Sequence, residues 1–163
     1  MELLKEIDDN EVGEIEKKRK AARGIFFDKE NLMPILFVSK YNYHKIPGGG
    51  AENDEELEMA LRREIFEETG CEVEVAGEVG KIIEYRRKWN LKQESFCWYG
   101  KITKKGEVSF TEEEVGHGFV LKWLKLEDAI KIVKFDKPEN YEGKMIQQRD
   151  LIFLERYKDI LNK

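Results

Sequence analysis

The sequence predicts an α/β fold of the α+β type, a sheet with helices packed against it. Three observations point there. Short apolar runs rich in strand-forming residues occur early in the chain, at residues 20–28 and 33–39. Two longer segments, 54–69 and about 142–161, carry apolar residues at helical spacing. Strands and helices then continue to alternate, an arrangement that places helices on a sheet. With 163 residues, 40% of them hydrophobic, the chain suits one domain spanning 1–163.

Residues 3–18 are polar, with a turn signal at Asp8-Asp9-Asn10 and a glycine at Gly13. They read as an opening hairpin or a loose arm. Residues 20–28 read as a strand that ends in a turn at Asp28-Lys29-Glu30-Asn31. Residues 33–39 form a second strand, and Tyr41 to Ile46 a third that runs into Pro47-Gly48-Gly49-Gly50. The clearest helix follows at 54–69. Asn53 or Asp54 can cap it, Glu56 sits at capping-box distance from Asn53, and Gly70 stops it. Two strands, about 72–87 and 93–104, flank Lys88-Trp89-Asn90 and pair as a long antiparallel hairpin. Phe119 to Trp123 is a strand, Leu126 to Val133 a short helix, and the tail a final helix with Phe153, Leu154, Tyr157, Ile160 and Leu161 on its apolar side.

Composition restricts function. The net charge is −5, and no segment has the basic dominance of a duplex-binding surface, so a nucleic-acid polymer is not an expected partner. An anionic substrate would be repelled unless cations mediate the contact. No apolar run has the roughly 20 residues a membrane crossing needs, and the start carries no signal-peptide core. The expectation is a cytoplasmic protein. Cys71, Cys97, His44 and His117 make no zinc-ligand spacing and read as ordinary packing or surface.

The 54–69 helix contains an anomaly. With Glu64 set at zero and about 100° per residue, Leu57 falls near +20°, Ala60 near −40° and Leu61 near +60°. By the same geometry Glu67 falls at roughly −60° and Glu68 at roughly +40°. The apolar face thus runs directly into three carboxylates, which repel one another at i, i+3 and i+4. Arg62 and Arg63 lie elsewhere around the axis. Partial burial would add to the cost. A divalent cation would relieve it, and magnesium prefers carboxylate oxygens, usually with waters and substrate phosphates. The plainer reading is a solvated acidic end of a surface helix.

The flanking residues bear on that choice. The chain reads Gly49, five residues, Glu55, seven residues, then Arg63-Glu64-Ile65-Phe66-Glu67-Glu68-Thr69-Gly70-Cys71. This resembles the signature of the Nudix hydrolase family, with Pro47-Gly48-Gly49 and Glu52 similar to its lead-in. Every specified position from Gly49 to Gly70 matches; only Cys71 departs, standing where the family has an aliphatic residue. Residues 20–50 and 93–125 resemble the family's other strands, and Tyr141 to Tyr157, with Arg149-Asp150, its closing helix. The likeness is to bacterial-type single-domain members.

The resemblance implies a Nudix-like α/β/α sandwich with a mixed sheet and a catalytic loop-helix-loop. It implies magnesium-dependent, or manganese-dependent, hydrolysis of a phosphoanhydride bond in a nucleoside diphosphate linked to a second group. By position, Glu64, Glu67 and Glu68 match the metal-binding glutamates, and Gly48 the glycine whose carbonyl adds a ligand. Glu55 and Arg63 match a charged pair that braces the loop, with Gly49 and Gly70 completing the motif. Arg63 also counts among the catalytic candidates. A carboxylate must accept a proton from the attacking water; the candidates are Glu64, Glu67 and one of the glutamates in the loop Thr111-Glu112-Glu113-Glu114, of which Glu114 is chosen. The other reading of Glu114 is a solvated turn residue.

Substrate contacts are less defined. Arg23 can reach phosphate or base, or form a sheet-edge ion pair. Tyr43, His44 and Lys45 precede the glycine loop and can line its entrance. Tyr43 or Trp98 can stack a base, although aromatics in strands more often fill cores. Gln93 has no evident role. The marks of the ADP-ribose, diadenosine polyphosphate, NADH and coenzyme A types are absent or offset. The other function class is a Nudix-fold module that senses a nucleotide without cleaving it. Degenerate motifs mark such modules, and here the acids and Arg63 are all present. Many members are homodimers, but no interface signature decides that here.

Overall fold

A computed structural model describes residues 1–163. The order is β1 (Leu3–Asp8), β2 (Lys17–Phe27), β3 (Met33–Val38), β4 (Tyr43–Lys45), β5 (Gly48–Gly50), α1 (Leu57–Thr69), β6 (Glu72–Arg86), β7 (Leu91–Lys104), α2 (Glu112–Gly116), β8 (Phe119–Leu124), α3 (Leu126–Phe135) and α4 (Tyr141–Leu161). The α+β class holds. A five-stranded mixed sheet runs β1-β6-β7-β2-β5, and a three-stranded sheet runs β4-β3-β8. β6 and β7 pair antiparallel, with register shifts between Val75 and Gly77 and between Glu78 and Gly80. β1 joins β6 in parallel and β2 joins β7 in parallel.

The alternation of β2 explains the layers. Ala22 and Phe26 join Ala60, Leu61 and Ile65 of α1, with Cys71 and Val73, in one apolar cluster. Ile25 points the other way, into a larger cluster with Ile82 and Cys97 of the sheet and Phe153, Leu154 and Tyr157 of α4. The main sheet is therefore held between α1 and α4. Loss of a fully buried leucine such as Leu61 would cost about 2–5 kcal/mol. Both cysteines are buried and free. No helix is long and apolar enough to cross a membrane.

Several boundaries differ from expectation. The polar opening segment supplies edge strand β1, and β2 begins at Lys17, before its apolar stretch, because parallel pairing with β7 extends to Leu91. The proposed third strand is reduced to three residues, since Ser39–Tyr41 forms a 3-10 turn that ends at Asn42 with φ 57°. Helix α1 starts at Leu57, not 54, and has no side-chain cap. Asp54 adopts φ 61° in the preceding turn, and the Glu55 carboxylate is drawn to Arg63 and the Glu52 N–H. The C-terminal expectation holds: Gly70 is left-handed at φ 73° and donates to the Phe66 carbonyl. Residues 112–116, read as loop, form a helical turn with a capping box between Thr111 and Glu114.

Candidate functional site

β5 crosses beside β2, with Ala22 opposite Gly49 and Arg23 opposite Gly48. This register sets the glycine loop against the C-terminal half of α1. A Cβ on Gly49 would lie 2.5 Å from the Glu64 carboxylate carbon; the absence of a side chain there is what lets the acid meet the backbone. The Gly48 N–H donates to Glu68 Oε1 at 2.7 Å. Gly48 has φ 145°, inside the left-handed region that a side chain rarely adopts.

Arg63 ties the loop to the helix. Its Nε and Nη2 donate to the two carboxylate oxygens of Glu55 at 2.8 and 3.0 Å, and Nη2 also reaches the Gly50 carbonyl. These bonds hold the Glu55 carboxyl at about 2, well below its ordinary range. Arg63 Nη1 donates to Glu64 at 2.9 Å and lies 3.5 Å from Glu67. The guanidinium therefore reaches acids that helical angle alone separated from it, because its long side chain spans the gap.

Glu68 is different. It is 1% exposed, and its Oε2 has no hydrogen-bond partner. Lys45 stands 3.5 Å away. Burial pushes the Glu68 carboxyl up to about 7 against the pull of Lys45 and the Gly48 N–H. Burial and the neighbouring Glu64 also raise Glu67. The acids lie along one face of α1 and no three of them gather on one point as a closed cage.

A cleft of about 720 Å³ opens over this face. It brings together Tyr43, Lys45, Gly48, Gly49, Arg63, Glu64, Glu67, Glu68 and Glu114 among the residues singled out from sequence. Glu114 faces it from α2, with Oε1 accepting from the Thr111 N–H at 2.9 Å. Glu55 stands behind Arg63, and Gly70 ends the helix.

Arg23 is not in the cleft. It is 4% exposed, and its Nε and Nη1 lack partners. It forms no sheet-edge ion pair, because β2 is an interior strand. Burial and Arg149 lower it to about 10. Trp98 packs on the α1 side of the sheet and stacks with Phe96, so it is unavailable to a base in the cleft.

The buried environment of Arg23 is a polar network. Arg86 donates to Glu84 at 2.7 Å, Arg149 reaches Glu84 at 3.4 Å and Asp150 at 2.7 Å, and Gln93 and Ser95 complete the shell of Glu84. Burial alone would raise Glu84; Arg149 and Arg86 outweigh it and hold it at about 2. Asp150 Oδ2 accepts from the Ile46 N–H at 2.8 Å. The closing helix thereby fixes the chain immediately before Pro47-Gly48.

Arg19, Trp89, Glu142, His117 and Phe119 also line the cleft and escaped sequence reasoning. The run Lys17-Lys18-Arg19-Lys20 in an acidic chain was a usable signal for Arg19. Trp89 was read only as part of a turn, and nothing local marks Glu142.

Comparison with known proteins gives a consistent picture. The NUDIX domain model matches residues 17–147. Diphosphoinositol polyphosphate phosphohydrolase 2 of Rattus norvegicus is 32% identical over 127 residues, covering 76% of this chain and 68% of that protein. Diphosphoinositol polyphosphate phosphohydrolase 3-beta of Bos taurus is 32% identical over 128 residues, covering 76% and 74%. Among solved structures, the MutT protein from Methanosarcina mazei Go1 superposes with TM-score 0.64 at 16% identity, covering 91% of this chain and 98% of that one. A NUDIX hydrolase from Nitrosomonas europaea gives TM-score 0.63 at 14% identity, covering 88% and 90%. These structural likenesses concern the fold.

Proposed function

The chain belongs to the NUDIX domain family and is a Nudix hydrolase, and on that premise we propose that it cleaves a phosphoanhydride bond in a nucleoside diphosphate linked to a second group, with magnesium as its ion and manganese as a substitute. One observation carries the reading: the buried Glu68 has one oxygen on the Gly48 N–H and the other without a hydrogen bond, with only Lys45 at 3.5 Å, beside Glu64 and Glu67 in an open cleft. Nudix hydrolases generally use divalent ions, and this donor set fits one. Its atoms are carboxylate oxygens and backbone, and magnesium needs only one or two carboxylates when water and phosphate fill the remaining positions.

Glu64, Glu67 and Glu68 would hold the ion, together with the Gly48 carbonyl. When bound, the ion offsets anhydride charge and lowers the pKa of water. The chain supplies the rest. Lys45, 3.5 Å from Glu68, places positive charge on the cleft wall where phosphate oxygens arrive. Arg63 clamps Glu64 and fixes the helix face against the loop. A carboxylate of the Glu64/Glu67 pair accepts the water proton. Glu114 spends one oxygen on its capping box, which weakens its claim.

A second reading has its own support. The curated relatives are named for diphosphoinositol polyphosphates, and Lys18, Arg19, Lys20 and Lys92 line a basic depression that shares Arg19 with the cleft. A panel of nucleoside triphosphates, dinucleotides, nucleotide sugars and a diphosphoinositol polyphosphate, with products identified by mass spectrometry, separates the two. The proposal expects magnesium-dependent turnover of a nucleotide, lost in folded Glu67→Gln and Glu68→Gln. No turnover together with tight nucleotide binding would instead make the protein a sensor.

A further inference from the structure

The cleft also gathers residues far in sequence from the acids of α1. Trp89 lies there in the turn between β6 and β7, 40% exposed. Exposed indole in a cleft is a large apolar surface left without cover. The ring is held in place from elsewhere. Tyr141 meets it edge-on, with centroids 5.0 Å apart, and the Tyr141 hydroxyl donates to Asp9. The Arg86 guanidinium lies 5.7 Å from the ring centre.

Glu142 follows Tyr141 and lines the same cleft. Asn140, not Glu142, caps α4 by accepting from the Gly143 N–H at 2.9 Å. The Glu142 carboxylate makes no hydrogen bond or ion pair within the protein. Arg19 lines the cleft as well. Its Nε would be 2.5 Å from a Cβ on Gly50, and it feels the charges of both Glu142 and Glu64. The acids, the glycine loop, Arg19, Trp89 and Glu142 therefore all face one cleft.

We infer that Trp89 and Glu142 form a nucleobase subsite that selects guanine. A fixed, exposed indole offers a face on which a base can stack. An unpaired carboxylate accepts two parallel N–H donors, and guanine presents that pair, N1–H and the 2-amino group, on its Watson–Crick edge. Adenine and cytosine offer only an amino donor beside a ring acceptor. An inositol polyphosphate has no π face and would bring phosphates against Glu142. The inference rests on the nucleotide reading above and names the residues that would choose the base.

The test uses ligands without an anhydride bond, so it is independent of hydrolysis. GMP, AMP, UMP and inositol hexakisphosphate are titrated calorimetrically into the full chain in magnesium buffer. GMP should bind tightest. Trp89→Ala should weaken GMP roughly tenfold or more, and Trp89→Phe should retain most of the affinity. Glu142→Gln should bring GMP and AMP to similar affinity while leaving AMP unchanged. Equal GMP binding by wild type and Trp89→Ala would overturn the subsite, as would inositol hexakisphosphate binding more tightly than every mononucleotide. Glu142→Gln with its GMP preference intact would overturn the assignment of guanine. A chain that binds GMP through Trp89 yet cleaves nothing would remove the hydrolase proposal and leave this one standing.

Discussion

Two buried glutamates show how the same residue type can be put to different use. Glu84 on β6 and Glu68 on α1 are 0% and 1% exposed. Glu84 has counterions built in: Arg86 and Arg149, with Gln93 and Ser95 around them. Its carboxyl stays at about 2 although burial opposes ionisation. Glu68 has a lysine at 3.5 Å and one backbone N–H, and burial lifts it to about 7. One acid is neutralised by the fold. The other is short of positive charge, in a cleft where charge can arrive from outside.

Applying one substitution to both sites should separate these roles. Glu84→Gln leaves Arg23, Arg86 and Arg149 with Asp150 alone, and should lower stability by about 3–5 kcal/mol, measured by urea unfolding. Equal stability of this variant and wild type would remove the structural reading of the network. Glu68→Gln should instead cut kcat on the active nucleotide roughly 10²–10³-fold. Its unfolding midpoint in chelator should not fall, because a buried, under-neutralised charge has been removed.

Acidity should affect the two sites in opposite directions. Folded Glu84 stays ionised down to about pH 2, whereas the unfolded chain takes up that proton near 4.5. The unfolded state then binds more protons, so stability should be lost as pH falls from 4.5 to 2. Glu68 keeps its proton in the folded chain up to about 7 and releases it near 4.5 when unfolded. In chelator, stability should therefore decline as pH rises from 4.5 to 7, by on the order of 3 kcal/mol. Denaturant unfolding across pH 2–8 checks both limbs; Glu84→Gln should flatten the lower one and Glu68→Gln the upper. A smaller effect is expected at the loop. Gly49→Ala places a methyl 2.5 Å from the Glu64 carboxylate carbon and should reduce kcat/KM by roughly tenfold to hundredfold. Unchanged kinetics would show that Glu64 can move without consequence.

The contrast also explains what the sequence could disclose. Glu64, Glu67, Glu68 and Gly70 belong to one short segment, so helical geometry marked the acids as anomalous and the resemblance of the flanking residues to the Nudix signature set them apart. The strands and helices were largely visible, but their parallel pairings were not, because β2 meets β7 only after β3, β4, β5, α1 and β6 have intervened in the chain. Glu84 and Arg149 are 65 residues apart, and nothing near either predicts the other. The false cap at Asn53 has a local cause: Arg63 draws Glu55 out of the helix and Asp54 turns left-handed. The helical turn at 112–116 was legible in Thr111 and Glu114, whose spacing is that of a capping box, and was overlooked among neighbouring acids.

If the end of α1 lacks positive charge that a divalent ion supplies, the chain should bind such an ion without any substrate. Titration with manganese, following the free ion by electron paramagnetic resonance, measures this directly. Saturable binding is expected, displaced by magnesium and weakened at least tenfold by Glu68→Gln, with Glu84→Gln unchanged at a temperature where it remains folded. Manganese binding that is undetectable in the wild type, or equal in the wild type and Glu68→Gln, would show that Glu68 is not waiting for a cation.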